Sequence, residues 1–150
     1  MRTPPYAQLV PVMLPPDALA GVTFHDTGGT NGWLAESLPA WVPSFVAALP
    51  LKGTVTWTVL RLLPAGQGIP PHVDPAVSRS PRVREHRYHV PLVTHPDVTM
   101  RWPEDEVSVH LEVGWLYEVQ HQERVHEVVH QASIGRIHLC IDTAEILPEA

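Results

Sequence analysis

The stretch RVHEVVHQASIGRIHLCID, Arg124 to Asp142, holds two alternating segments around a turn. In Arg124–His130, His126, Val128 and His130 share one face. In Arg136–Asp142, Ile137, Leu139 and Ile141 face one way, while Arg136, His138 and Cys140 face the other. Period-two alternation on both sides of Gln131–Gly135 marks a strand, a tight turn and a second strand.

Working outward, the same grammar repeats. Thr54–Leu60 alternates and is rich in β-branched residues. Pro64–Gly68 is a turn. His86–Val93, Val98–Trp102, Val107–Val109 and Gly114–Val119 follow as short strands. Residues 1–36 read as irregular, with a short strand at Ala7–Met13 and a turn cluster at His25–Gly32. A helix is expected from Ser37–Trp41 to about Leu49, where Pro50 ends it. Seventeen prolines divide the chain into pieces too short for a helical bundle. The expected class is mostly β, a sandwich or barrel, in one domain over residues 1–150 with its motifs between about 52 and 142.

Composition narrows the function. At 150 residues the chain is long enough for a core without disulfides. A net charge of −6 argues against a dedicated nucleic-acid binder. Cys140 is the one cysteine, and the N-terminal stretch has no long apolar run, so a cytoplasmic location is expected. Cys140 has no evident base to activate it, and Gly28–Gly32 lacks the lysine of a phosphate loop.

The chemistry lies in the histidines and arginines. His72-x-Asp74 places an imidazole and a carboxylate on one side of an extended segment, as a two-histidine, one-carboxylate metal site requires. Alone it says little: ten histidines and six aspartates give about 0.4 such pairs by chance. A third ligand must come from afar, and His110, His121, His126, His130 and His138 are the candidates. Arg136 beside His138 in an apolar strand needs an anion partner, which a carboxylate cosubstrate would supply. Arg87 and His89 form a second such pair. For each arginine a structural salt bridge is the competing reading. Trp57, Trp102 and Trp115 read more readily as core than as pocket walls.

Together these segments resemble the aspartyl/asparaginyl β-hydroxylase family of iron(II)- and 2-oxoglutarate-dependent oxygenases. The resemblance covers residues 58–142 or so, in family order. It runs through Leu63-Pro64-Ala65-Gly66 with His72-Val73-Asp74, then Arg87-Tyr88-His89-Val90-Pro91-Leu92. Gly114-Trp115, His126-Glu127-Val128 and Arg136-Ile137-His138-Leu139 complete it. The ten-residue spacing to Arg136 selects His126 over His121 and His130. The segment from Asp74 to Arg87 is longer than the family pattern, and the turn Pro64–His72 carries an extra residue.

The resemblance implies a double-stranded β-helix, the cupin-like jelly roll. It implies iron(II) on His72, Asp74 and His126, and 2-oxoglutarate on Arg136 with help from Arg87 and His89. The implied activity is hydroxylation of an amino-acid side chain, protein-bound Asp or Asn or a free amino acid, or of a related small molecule. Arg79, Arg82 and Arg84 follow the His-x-Asp directly and are expected to attract an acidic group. Two rivals stand beside this: a metal cupin enzyme without 2-oxoglutarate, which has no need of Arg136, and a non-catalytic jelly-roll binding module.

Overall fold

A computed structural model of the chain describes residues 2–29 and 31–149; Thr30 of the expected turn cluster lies outside the described residues. Eleven strands form two antiparallel sheets. The larger takes β1 (Tyr6–Pro11), β9 (Trp115–Val119), β6 (Val83–Val93), β11 (Arg136–Ile146), β4 (Thr54–Leu63), β3 (Trp33–Ala35) and β2 (Phe24–Asp26), in that spatial order. The smaller takes β5 (Ile69–His72), β10 (His126–His130), β7 (Val98–Trp102) and β8 (Val107–Val109). This is a jelly-roll, cupin-like β sandwich: the strand pattern points to a sandwich or barrel, and the family resemblance implies the jelly roll. No helix among the described residues is long and apolar enough to cross a membrane.

Alternation on the two central strands of the large sheet divides its faces. Leu139 and Ile141 of β11 pack with Leu60 of β4 and Tyr88 and Val90 of β6. The helix α1 (Val42–Ala47) covers this outer face with Val42 and Val46. It is shorter than expected, with Pro43 in its first turn, where proline lacks no needed donor. The opposite, inward face carries Arg136, His138 and Cys140. Register sets Cys140 beside His89, Asp142 between Arg87 and Trp57, and His138 beside Arg61.

Three strands fall where the sequence reads as irregular or as a turn. β2 and β3 are three residues each, too short for alternation to register. β5 contains Pro70 and Pro71. It is an edge strand paired only with β10, the one place in a sheet where missing N–H donors are tolerated. That pairing sets His72 directly opposite His126.

Gly68 leads into β5 against the backbone of β10, and a Cβ there would run into the Val128 carbonyl oxygen. Backbone cannot move aside as a side-chain tip can. Gly68→Ala is therefore expected to cost about 1–3 kcal/mol, read as a lower urea midpoint. Because the strain falls on the strand carrying His126, metal affinity should drop with it.

Candidate metal centre and its anion pocket

His72 ends β5, Asp74 follows two residues on, and His126 opens β10. One donor atom from each lies within 4.8 Å of the others. His72 Nε2 stands 3.5 Å from Asp74 Oδ1, and His126 Nε2 stands 3.4 Å from Asp74 Oδ2. Adjacent donors on an octahedral ion with bonds of about 2.1 Å are about 3 Å apart, so only a small adjustment separates this cluster from a ligand set.

The tautomers are set from behind. His72 Nδ1 donates to the Pro70 carbonyl at 2.8 Å, and His126 Nδ1 to the Arg124 carbonyl at 3.1 Å. With each proton held on Nδ1, each Nε2 presents its lone pair to the cluster. Asp74 is held by its backbone, whose N–H donates to the His121 carbonyl at 2.8 Å. Burial alone would raise the Asp74 carboxyl. The neighbouring His126 ring and the Arg87 charge outweigh it and hold Asp74 down to about 2. The chemistry of this donor set, two imidazole nitrogens and an ionised carboxylate, fits a divalent transition metal such as iron(II).

A cavity of roughly 180 Å³ extends from this cluster, with Arg136, Arg61 and His89 on its walls. Arg136 is only 3% exposed, makes no ion pair among the described residues, and leaves its buried Nε without a partner. Burial, reinforced by nearby Arg61, pulls its guanidinium down to about 10. A buried charge so placed calls for an anion. Arg61 has the same defect, a buried and unpartnered Nε, and lies 5.8 Å from the Trp57 ring centre. Its strand runs on past the alternating Thr54–Leu60 to Leu63, and register sets Arg61 beside His138.

Arg87 also lines the cavity, yet its fork is engaged. Nε and Nη2 bind both oxygens of Asp142 at 2.8 and 2.9 Å, and Nη1 binds Asp74 at 2.8 Å. The structural salt bridge weighed for each arginine holds for Arg87 and not for Arg136. Asp142, unremarked in the sequence, is the partner that decides this. His89 shares a proton with His138 across 2.9 Å between their Nδ1 atoms. Burial first, then the Arg136 charge, keeps both rings neutral, so one donates and the other accepts. Buried Cys140 lies 3.9 Å from the same His89 nitrogen.

The remaining histidines have other duties. His130 accepts from the N–H groups of Gly66 and Ala132, tying down the turn before β5. His110 bonds the Val98 carbonyl. His121 lines a neighbouring cavity. Of the arginine-rich stretch, Arg82 pairs with Glu149 and Arg84 lines a separate polar hollow; neither they nor Arg79 line the metal-side cavity.

The sequence pattern of the family described as aspartyl/asparaginyl beta-hydroxylase matches residues 27–145. A solved structure titled a non-heme monooxygenase, ThoJ–Ni complex, is similar at 24% identity and a TM-score of 0.45, over 61% of this chain and 44% of that one. The chain thus spans less than half of that protein's length. The comparison with curated proteins returned no match.

His121 gives the site a pH signature. Burial and the Arg87 charge lower it from 6.5 to about 4, so the folded chain keeps it neutral. The unfolded chain takes up the proton below about pH 6.5, so stability falls as pH drops from 6.5 towards 4. Urea midpoints of the metal-free protein should decline over that window, and His121→Gln should remove a part of the decline worth up to about 3 kcal/mol.

Proposed function

The chain belongs to the aspartyl/asparaginyl β-hydroxylase family, and from that premise we propose that it is an iron(II)- and 2-oxoglutarate-dependent dioxygenase. It would hydroxylate an amino-acid side chain or a related small molecule. The observation that carries this reading is the buried, unpartnered guanidinium of Arg136 in the same cavity as His72, Asp74 and His126. A metal cupin enzyme without 2-oxoglutarate has no use for that charge, and a binding module has no use for the ligand cluster.

His72, Asp74 and His126 would hold the iron through the two inward Nε2 lone pairs and the carboxylate. Arg136 would bind the distal carboxylate of 2-oxoglutarate by its planar fork, with Arg61 and His89 beside it. A cavity of this size suits a small dicarboxylate better than a larger ligand. Arg87 acts at the metal end instead, fixing the orientation of Asp74 and keeping it ionised. Neutral His89 lines the cavity, with neutral His138 bonded to it, and neither adds positive charge beside Arg136. The bound metal, with 2-oxoglutarate and oxygen, would supply the oxidative decarboxylation that drives C–H hydroxylation.

Anaerobic titration with iron(II) and then 2-oxoglutarate tests this, read by the weak visible charge-transfer band of the chelated cosubstrate. The wild type should develop the band. His126→Ala should lose iron. Arg136→Ala should keep iron but lose about 100-fold in 2-oxoglutarate affinity, the scale of a lost charged hydrogen-bond pair. Iron binding without 2-oxoglutarate binding would favour the other cupin enzymes, and binding of neither would favour the binding module.

A further inference from the structure

A second cavity, roughly 530 Å³, opens beside the metal cluster and shares Trp57 and Arg87 with the first. None of the three ligands lines it, but Pro75, the residue after Asp74, does. Trp57, 41% exposed, and Val77, 91% exposed, form an apolar part of its wall with Pro75 and Ala144, and polar or charged side chains form the rest.

The charges around this cavity are already spoken for. Arg87 and Asp142 saturate one another, and Arg87 also binds Asp74. Glu85 accepts from the backbone N–H groups of Val77 and Ser78 and from the Gln122 amide, which fastens the Pro75–Ser78 loop over the site. The buried His121 ring lines the cavity and makes no hydrogen bond among the described residues. Among the described residues that line it, no unpaired arginine or lysine remains to receive a carboxylate, and the arginine-rich stretch does not reach in. A charged group entering here would lose its hydration without gaining a partner.

We infer that this cavity is the substrate site and that it takes a neutral, largely apolar group, a branched aliphatic or aromatic side chain, with His121 available as a hydrogen-bond partner. This names the substrate class for the oxygenase reading above and rests on it. It replaces the acidic group expected from Arg79, Arg82 and Arg84. The size suits such a group, being within the range of small-molecule sites.

The test uses the full chain, ¹⁵N-labelled, and follows the backbone amides of Val77, Ser78 and Ala144. The probes are N-acetyl-L-leucine amide, N-acetyl-L-phenylalanine amide and N-acetyl-L-aspartic acid amide. A neutral probe should shift these amides saturably, with a Kd at least about tenfold below that of the aspartyl probe. Thr56→Asp and Val77→Asp, both at exposed positions, should each weaken the neutral probe by a similar factor. Joint replacement of Arg79, Arg82 and Arg84 by Ala should leave it unchanged. Equal or tighter binding of the aspartyl probe, or no shift by either neutral probe, overturns the inference. Titration of the same sample with iron(II) and 2-oxoglutarate separates the two readings. Cosubstrate binding without neutral-probe binding sinks this inference alone; the reverse sinks the oxygenase reading and leaves an apolar binding cavity.

Discussion

The arrangement depends on the fork of Arg87. Its guanidinium leaves the large sheet, binds Asp142 on the neighbouring strand through two nitrogens, and reaches Asp74 beyond the small sheet's edge strand with the third. One planar cation thus ties the two sheets together where the histidines meet. Removing one partner from so shielded a network typically costs about 3–5 kcal/mol, because the others are left buried and uncompensated. The same network keeps Asp74 ionised against its own burial. Stability of the sandwich and readiness of the carboxylate are therefore one property.

The inward face of the large sheet is unusually polar for a sandwich interior. Arg136, His138, Cys140, His89, Arg87 and Arg61 occupy it, while Leu139, Ile141, Tyr88 and Val90 alternate onto the outer face beneath α1. The apolar contribution to folding from these strands comes mainly from outside the sandwich, where burial costs nothing polar. Between the sheets, apolar packing concentrates around Leu63, Ile69, Val98 and Val128 on one side and Met100, Trp102 and Tyr117 on another. The division lets the strands be rigid and chemically armed at once, since each residue serves one face only.

This division was legible in the sequence, because alternation reports faces even when it does not report partners. The alternation of Arg136–Asp142 separates the arginine row from the isoleucine row, and the family resemblance, through its ten-residue spacing, implies His126 rather than His121 or His130. What alternation cannot supply is which cation meets which anion. Arg87 and Arg136 look equivalent along the chain, each two residues before a histidine on a strand. Their fates differ because register places Asp142 beside Arg87, while Arg136 pairs across with Leu63. β5 was hidden for a different reason. Pro70 and Pro71 argue against a strand unless it lies at an edge, and edge position is a property of the assembled sheet.

The contrast between the two arginines also explains the polarity of the cavity. At one end the Arg87 charge is cancelled twice over, and Asp74 leaves the cluster with an ionised carboxylate suited to a cation. At the other end Arg136 and Arg61 carry positive charge and make no ion pair among the described residues. The histidines between them, held neutral by burial, neither add to that charge nor offset it. A ligand that chelates a metal with one end and offers a carboxylate at the other satisfies both ends at once. The neighbouring apolar cavity has no such imbalance to satisfy. Two small spaces that share the Trp57 and Arg87 side chains are thus distinguished by which charges the fold leaves unpaired, and that difference would let a charged cosubstrate and a neutral substrate sort themselves without a separate recognition domain.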